Sequence, residues 1–426
     1  MKNEVRLVGE IKQKPQSSKA LSEISRSGVS VLAMVLVLGV GGLSAPVLAA
    51  EADAIIDEGQ KEQEEQTREQ EIEDFEPSFP RIEGELVIEL QNDWQYDSDD
   101  TANQFNNLYT TTEGDFNLYP FKELEGLFVN LHLTLEQINT GSGSGNKFFE
   151  QQGAFVENIS LNYEGEWWSV IGGKYGPNFS IAYDAAPGIY GTDLAEEDIE
   201  IAEKWGFGGS ATYADETLGA HTLSASLFTA DKTILSKSII NERGRLTSSD
   251  GGPTNTNSLG SAVVAVDGSG FAFAPGLSYQ IGGAFLDTSR VVDKETGDII
   301  PSSETDDEYR FVAAAQYAID ITDDIAVTPL VEYVHFWNGG GYKDEDRDYL
   351  TATGLVTYQN WNLAFGTTQK WVGPAEGDSF NDNQWQVSAG YLFDFGVSVD
   401  VGWKYATEEG VDTYTVGALA TYAFEF

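Results

Sequence analysis

Apolar and polar residues alternate with a period of two along most of the chain from about residue 80 onward. Near the start of this region Ile82 and Leu86 fall on one face of an extended chain, and Glu85 and Glu89 fall on the other. Because successive side chains of a β-strand point to opposite faces, the pattern predicts strands with one apolar and one wet face. Alternating or turn-bounded stretches predict sixteen strands, at residues 82–96, 105–119, 126–138, 153–164, 167–176, 204–214, 219–230, 256–267, 271–287, 308–320, 325–337, 347–359, 360–371, 383–395, 396–407 and 411–426.

The same rule assigns side chains to faces within each strand. In the fourth strand it places Phe155, Ile159, Leu161 and Tyr163 together on the apolar face. The connections alternate in length, with tight turns at 164–166, 321–324 and 358–360 and long polar loops at 287–307, 337–347 and 372–382. An even number of strands with short turns at one end and longer loops at the other is typical of closed transmembrane barrels.

The chain ends in the aromatic sequence TYAFEF. In that last strand Tyr422, Phe424 and Phe426 share one face, and an exposed edge of this kind invites aggregation unless another sheet or lipid covers it. Aromatic residues also gather toward the ends of other predicted strands, as expected of the belts at both membrane interfaces. We therefore predict an all-β fold, a closed antiparallel transmembrane barrel of about sixteen strands.

Composition excludes several kinds of chemistry. The net charge of −45 repels nucleic acid, and the absence of cysteine removes disulfides, thiolate metal sites and a cysteine nucleophile. His132, His221 and His335 share no metal-ligand spacing and form no recognisable set with a nucleophile. We predict no enzymatic activity, no metal site and no cofactor.

Two segments precede the strands. Residues 1–49 combine six basic residues, an apolar run from Gly28 to Leu43 and a small-residue cleavage region, which is typical of a secretory signal peptide; an uncleaved membrane anchor is the alternative. Residues 50–80 form an arm in which 51–76 carry twelve acidic and two basic side chains, as in a solvated linker. Residues 81–426 are predicted to form the barrel domain.

The leader, the alternating strands and the terminal Tyr-x-Phe-x-Phe pattern together resemble Gram-negative outer-membrane porins. This resemblance covers about residues 80–426 and implies export to the outer membrane, contact with lipid and lipopolysaccharide, and a homotrimer. In that family the barrel-assembly machinery reads the terminal aromatic strand, so the resemblance implies an assembly signal at Tyr422, Phe424 and Phe426. It also implies that the last strand closes against the first.

The long connection between the fifth and sixth predicted strands is the candidate functional segment. Porins fold the loop at this position, their third outside loop, into the barrel as a constriction, although this chain lacks the PEFGG-type signature of enterobacterial members. A solvated outer loop is the alternative. The resemblance assigns the acidic side of the constriction to Asp184, Asp193, Glu196, Glu197, Asp198, Glu200 and Glu203.

Basic residues on inward faces are predicted to line the opposite wall, namely Lys174, Arg310, Lys370 and Lys404. From Pro77 onward the chain has 54 acidic and 16 basic residues, and carboxylate rings favour cations. We therefore expect passive diffusion of small hydrophilic solutes and ions, with a preference for cations. A sugar- or phosphate-specific channel and a non-conducting structural or adhesive barrel are the alternatives.

Overall fold

The computed structural model describes residues 79–138, 145–241, 243–293, 296–374 and 377–426. The predicted signal peptide and nearly all of the acidic arm lie outside the described residues. The described chain forms sixteen long antiparallel strands: β1 (Arg81–Ser98), β2 (Asn106–Tyr119), β3 (Leu127–Gln137), β4 (Gln152–Glu164), β5 (Trp168–Tyr175), β6 (Lys204–Asp215), β7 (Gly219–Ala230), β8 (Ser261–Phe271), β9 (Ala274–Leu286), β10 (Glu308–Tyr317), β11 (Ile325–Trp337), β12 (Asp346–Tyr358), β13 (Trp361–Gly373), β14 (Phe380–Leu392), β15 (Val397–Glu408) and β16 (Val411–Glu425).

Short elements complete the sheet and its loops. Lys147–Phe148 pairs in parallel with β2, and Ile319–Asp320 extends β10 along β11. Two helical turns, α1 (Ala182–Ala185) and α2 (Glu196–Ile199), lie in the connection between β5 and β6. The other helices within the described ranges are 3-10 turns at Thr101–Asn103, Lys122–Leu124, Ile234–Ser236 and Gly339–Gly341.

The sheet closes on itself between the first and last strands. β1 pairs with β16 from Glu85 opposite Glu425 to Ser98 opposite Thr413, and the backbones of Gly84 and Phe426 exchange two hydrogen bonds of 3.0 Å. Because the sheet is closed, the described strands have no unpaired edge, and the aromatic last strand is not open to aggregation through its backbone. The prediction of a closed antiparallel transmembrane barrel of about sixteen strands is confirmed.

The barrel has two unlike ends. The terminal rim, where β1 begins and β16 ends, has short turns such as 165–167 and 359–360. The loop rim, at the opposite end, carries the long connections 176–203, 231–260 and 287–307. The predicted asymmetry in connection length is thus present, and it places the candidate segment 176–203 at the loop rim.

The outer face of the barrel is apolar and the inner face mixed. Ile82, Phe207 and Val331 are exposed on the outside, whereas Glu89 and Gln384 are buried inside. Exposed tryptophans mark both rims, with Trp167 and Trp361 at one and Trp94 and Trp337 at the other. No helix of the described residues is long and apolar enough to span a membrane.

The predicted strand boundaries agree closely with those of the structure except at β8. That strand was expected at 256–267 and lies at Ser261–Phe271, because its Gly- and Ser-rich sequence alternates poorly. Face assignment was wrong in one strand. Phe155 is buried inside the barrel while Leu161 is exposed outside, because a β-bulge interrupts the pairing of β4 with β3 near Glu157 and shifts the alternation by one residue.

An arginine at the centre of the outer face should destabilise the barrel. Val331 lies midway along β11 and is half exposed on the outside. We expect Val331→Arg to lower the free energy of unfolding in lipid vesicles by about 2–4 kcal/mol, since the charge would enter hydrocarbon. Ile319→Arg, at the terminal rim, should cost about 1 kcal/mol or less. Equal costs in urea titrations would contradict the assignment of this face to lipid.

Candidate functional site

The loop 176–203 folds into the barrel and rests against its inner wall. Phe179, Ile189, Tyr190 and Ile199 are almost completely buried. They pack into two clusters with inward-facing side chains of the wall, and the larger cluster includes Phe228, Val263, Leu286, Val312, Val334, Phe336 and Tyr349. Apolar residues on the inside of a wet barrel would be costly without a partner, and the loop supplies that partner.

The wall also provides hydrogen bonds to the backbone of the loop. The carboxylate of Glu332 on β11 accepts from Ser180 Oγ at 2.5 Å and from the backbone nitrogens of Ile181 and Ala182 at 2.8 and 3.1 Å. These two nitrogens begin α1, whose first amide groups lack helical partners. Sequence analysis did not identify Glu332, because its role depends on a contact across the barrel.

Two glutamines of β14 bind the middle of the loop. Gln384 accepts from Leu194 N at 3.1 Å and donates to Tyr190 O at 3.0 Å. Gln386 accepts from Tyr190 N at 3.3 Å and donates to Pro187 O at 2.9 Å. Gly188 has a φ of 98°, and a Cβ there would lie 2.7 Å from the Gln386 amide oxygen, so glycine allows the close approach. The loop is therefore held at its start and at its middle.

Asp198 of α2 is bound to basic and hydroxyl groups of the wall. Lys370 Nζ lies 2.8 Å from its carboxylate, Tyr349 donates to it at 2.8 Å, and Arg347 is 3.7 Å away. Burial opposes ionisation of Asp198, but these partners hold its pKa below the usual range. Arg310 donates to the carbonyl oxygens of Asp198 and Ile199 at 2.8 and 3.0 Å. Two of the predicted basic residues thus anchor the loop.

Lys404 makes a similar contact with Asp193, at 2.8 Å. Lys370 and Lys404 together line a cavity of about 590 Å³ on the loop-rim side, with Lys147 and Asp382 among the other lining residues. The structure therefore brings the predicted acids and bases together as direct ion pairs at Asp193 and Asp198. It does not place them across an open gap.

Lys174 corrects the sequence analysis. Its side chain has no exposed surface, and its ammonium group contacts Glu203 at 2.7 Å, Asp231 at 3.0 Å and the Leu235 carbonyl at 3.0 Å. A side chain this deeply buried does not line a pore. Lys174 instead neutralises carboxylates at the end of the loop, and Glu203 is shared with Arg243.

The remaining loop carboxylates face an acidic cavity of about 700 Å³, bounded by the loop on one side and by β2, β3 and β4 on the other. Asp184, Glu196, Glu197, Glu200 and Glu203 come from the loop. The opposite wall supplies Glu113, Glu136, Glu157 and His132, and the other basic groups are Lys204 at the start of β6 and Arg243 of the loop 231–260. The acids predicted for the loop thus meet other acids, and we call this space the acidic cavity.

The three wall glutamates were missed by sequence analysis. Glu113 and Glu136 stand at inward positions of β2 and β3, a signal present in the alternation. Glu157 lies at the bulge of β4, where Thr134 donates to its carboxylate at 2.8 Å. A bulge re-aims the side chain that it carries, and here it directs a third carboxylate into the cavity.

The acidic cavity is the middle one of three that follow each other through the barrel. It shares Ala202, Glu203, Lys204 and Arg243 with a cavity of about 500 Å³ near the loop rim. It shares Tyr183 and Asp184 with one of about 380 Å³ that reaches the terminal-rim ends of β7, β8 and β9. Together they form a row of adjoining cavities beside the loop, from near the loop rim to the terminal-rim ends of β7, β8 and β9, and we call this row the route.

Two loop acids in the cavity ionise with difficulty. Burial, with the charges of Asp193 and Glu200, raises the pKa of Glu196 to about 9. Burial and the charge of Glu157 raise the pKa of Glu200 to about 7. Protons therefore stay on these carboxyl groups at a pH where exposed glutamates are ionised, because like charges share a confined space.

The charge of the acidic cavity should depend on pH. As pH rises from 6 to 10, Glu200 and then Glu196 lose their protons and add negative charge. With each charge contributing ~0.5 kcal/mol at ~8 Å in water, we expect the cation-to-anion permeability ratio to rise about fivefold. Reversal potentials at fixed salt measure this. The rise should shrink in Glu196→Gln/Glu200→Gln, and an unchanged profile in that variant would assign it to other groups.

The predicted assembly signal lies on the outside of the terminal rim. Tyr422, Phe424 and Phe426 are exposed, and successive ring centroids along this row are 6.1 and 6.0 Å apart. Phe426 also lies 5.9 Å from Phe116 of β2. Recognition by assembly machinery stays a prediction. Within the described ranges, no group of three or more His, Asp or Glu side chains has the geometry to hold a metal ion.

Comparison with known proteins found similarity in structure alone. No protein-family profile and no curated protein sequence matches the chain. OmpT of Vibrio cholerae is 13% identical, with a TM-score of 0.48 over 82% of this chain and 100% of that one. OccAB4 of Acinetobacter baumannii is 10% identical, with a TM-score of 0.46 over 81% and 98%. A porin structure is 10% identical, with a TM-score of 0.44 over 81% and 100%.

Proposed function

We propose that this protein is a channel of the Gram-negative outer membrane through which small hydrophilic solutes and ions diffuse, with a preference for cations. The observation that carries the proposal is the acidic cavity. It lies in a row of adjoining cavities between the rims, and its lining has eight carboxyl groups against Lys204, Arg243 and His132 as basic groups, while Lys174 pairs with Glu203 from outside the lining. Fixed carboxylates in a narrow pore concentrate cations and exclude anions.

The geometry differs from a pore with a transverse field. In such a pore acids on the loop would face bases on the wall, but here the wall opposite the loop is acidic as well. The basic residues Arg310, Lys370 and Lys404 lie on the other side of the loop and hold it in place. This arrangement supports selection by charge sign and disfavours a phosphate channel, which would need cationic rings.

Planar-bilayer recording tests the proposal. With a salt gradient across the membrane, the reversal potential should show cation preference at neutral pH and low ionic strength, where screening is weak. Preference for anions would overturn the assignment of the acidic cavity. Absence of conductance in reconstituted, folded protein would favour a structural barrel, and saturable conductance for one sugar would favour a specific channel.

We further propose a homotrimer anchored by lipid and lipopolysaccharide, with the loop rim outside the cell and the terminal rim in the periplasm. Small residues on the strands, such as Gly172 and Ala315, would allow close packing between neighbouring barrels. The mass of the detergent-solubilised particle decides the oligomeric state, and a particle with the mass of one chain would exclude the trimer.

A catalytic role is not part of the proposal. His221 binds Tyr279 at 3.0 Å and His335 binds Asp348 at 2.8 Å, and neither histidine lines the acidic cavity. His132 does line it, with Nε2 lying 3.9 Å from Glu113 and 3.8 Å from Glu157. The hydroxyl of Thr134, which also lines the cavity, donates to Glu157 rather than to His132, so these groups form no nucleophile–histidine pair.

A further inference from the structure

Arg243 lines the acidic cavity, although it belongs to a different connection, the loop 231–260 on the loop rim. Its guanidinium makes a two-pronged contact with Glu203, with Nη1 at 2.7 Å from Oε1 and Nη2 donating to Oε2 at 2.7 Å. The same group lies over the ring of Phe155, 3.9 Å from the centroid. A carboxylate that accepts two parallel hydrogen bonds, next to an aromatic ring that stacks on the same cation, matches the planar shape of a guanidinium better than that of an ammonium group.

Phe155 is in place because of the bulge in β4. With regular alternation its ring would point to lipid, but it is buried inside the barrel. Glu203 is held from the other side by Lys174, whose ammonium lies 2.7 Å from Oε2. The two sides of the guanidinium seat, one aromatic and one carboxylate, are therefore fixed independently of Arg243.

The seat lies on the route through the barrel. Arg243, Glu203, Lys204 and Ala202 line both the acidic cavity and the cavity nearer the loop rim, so the Arg243 side chain stands between them. A solute that moves from one of these cavities to the other would pass beside the guanidinium. A cation that passes must do so beside a group of the same charge, or must take its place.

The cavity beside the seat has further acceptor capacity. Glu113 is more than nine-tenths buried and lines the cavity, and the nearest basic nitrogen, His132 Nε2, is 3.9 Å away, too far for a hydrogen bond. Glu136 and Glu200 line the same space. An organic cation with several N–H donors would find acceptors beyond those that Arg243 uses.

We propose that Arg243 is a tethered occupant of a binding seat for guanidinium-bearing organic cations, and that such solutes traverse the acidic cavity by exchanging with its side chain. The inference rests on the proposed channel function and adds a solute class to it. If Arg243 had only a structural role, it would attach the loop 231–260 to the barrel wall. Its removal would then loosen the loop without creating a binding site selective for guanidinium.

The test measures block of single-channel potassium current by added guanidinium chloride, with tetramethylammonium as a cation of equal charge that has no N–H donor. In Arg243→Ala the vacated seat should bind guanidinium, and half-block should occur at a concentration roughly tenfold lower than in the wild type, the effect of one charge-assisted pair. Tetramethylammonium should gain much less. Glu203→Gln added to Arg243→Ala should abolish the gain.

Lys343→Gln is the matched control, since it removes one positive charge from an exposed position of the loop rim that lines neither of these two cavities. It should leave the ratio of guanidinium to tetramethylammonium block unchanged. Arg243→Gln, which retains a planar hydrogen-bonding side chain, replaces Arg243→Ala if the latter does not assemble. Equal responses to both cations in the Arg243 variants would overturn the seat, while anion preference of the wild-type channel would overturn the proposed function itself.

Discussion

Replacing Glu113, Glu136 and Glu157 together by glutamine is expected to lower the cation-to-anion permeability ratio about tenfold at low salt and alkaline pH, where the crowded carboxyl groups of the cavity are ionised, since each charge contributes ~0.5 kcal/mol at ~8 Å in water. All three side chains line the acidic cavity opposite the loop. Glutamine preserves their size and polarity, so the cavity keeps its shape while it loses three potential charges. Reversal potentials in a salt gradient measure the ratio directly.

The matched control removes three carboxylates far from the cavity. Glu123, Glu125 and Glu166 are exposed on the short turns of the terminal rim. Because these carboxylates are hydrated on an exposed rim and the interaction between charges in water falls with distance, their glutamine variants should change the ratio much less, and added salt should weaken their effect further. Equal effects of the two triple substitutions would show that overall charge, rather than the acidic cavity, sets selectivity.

The barrel itself could be read from the sequence because lipid and water impose opposite demands on alternate residues. Each strand of the closed sheet repeats this demand, so errors in one strand, such as the shifted start of β8, do not alter the count. The closing pair was also accessible, since an apolar last strand such as β16 needs a partner edge and a lipid environment. Whether a residue faces lipid or the interior is thus encoded locally, within the strand that carries it.

The candidate site could be predicted only in part, because its contacts join residues that are far apart in the sequence. The acidity of the loop is local, but which of its acids meets a base depends on where sixteen strands stand relative to one another. Asp198 and Glu196 are two residues apart in α2, yet Asp198 is paired with Lys370 and Glu196 lies among carboxylates. The period-two pattern of one strand does not specify how far that strand is shifted relative to distant strands, and this shift decides which loop acid meets a base.

The bulge at Glu157 adds a second limit. One extra residue reversed the faces of β4, placing Phe155 and Glu157 in the cavity, and no turn residue marks it in the sequence. Inward apolar residues such as Val312 and Val334 are a third case. From the sequence alone they would indicate a barrel interior without water. Their presence is explained by the loop, whose apolar residues pack against them.

Releasing the loop from β14 is expected to open the channel. Gln384→Leu with Gln386→Leu removes hydrogen bonds to the backbone at Pro187, Tyr190 and Leu194 and leaves those groups without their partners in a buried position. At about 1 kcal/mol for each hydrogen bond, the loop loses about 4 kcal/mol of attachment. Single-channel conductance and open-channel noise should rise, and cation preference should fall as the loop acids leave the acidic cavity.

A cysteine at Ile189 reports the release independently of current. The chain contains no cysteine, and Ile189 is completely buried between the loop and the wall. In an Ile189→Cys background, the two leucines should raise the rate of modification by a water-soluble thiol reagent by roughly a thousandfold for a loss of about 4 kcal/mol of attachment, because reaction then follows transient opening of the loop.

Asn362→Leu is the control for this double substitution. Asn362 is an inward amide of the neighbouring strand β13, and it donates to Asp400 at 3.0 Å on the wall rather than to the loop. It should lower barrel stability slightly without changing conductance or the reactivity of Cys at position 189. If the Gln384 and Gln386 variant instead behaved like Asn362→Leu, with reduced stability but unchanged current and labelling, the glutamines would support the barrel wall. The apolar contacts of the loop and its bonds to Glu332, Arg310, Lys370 and Lys404 would then hold it without them.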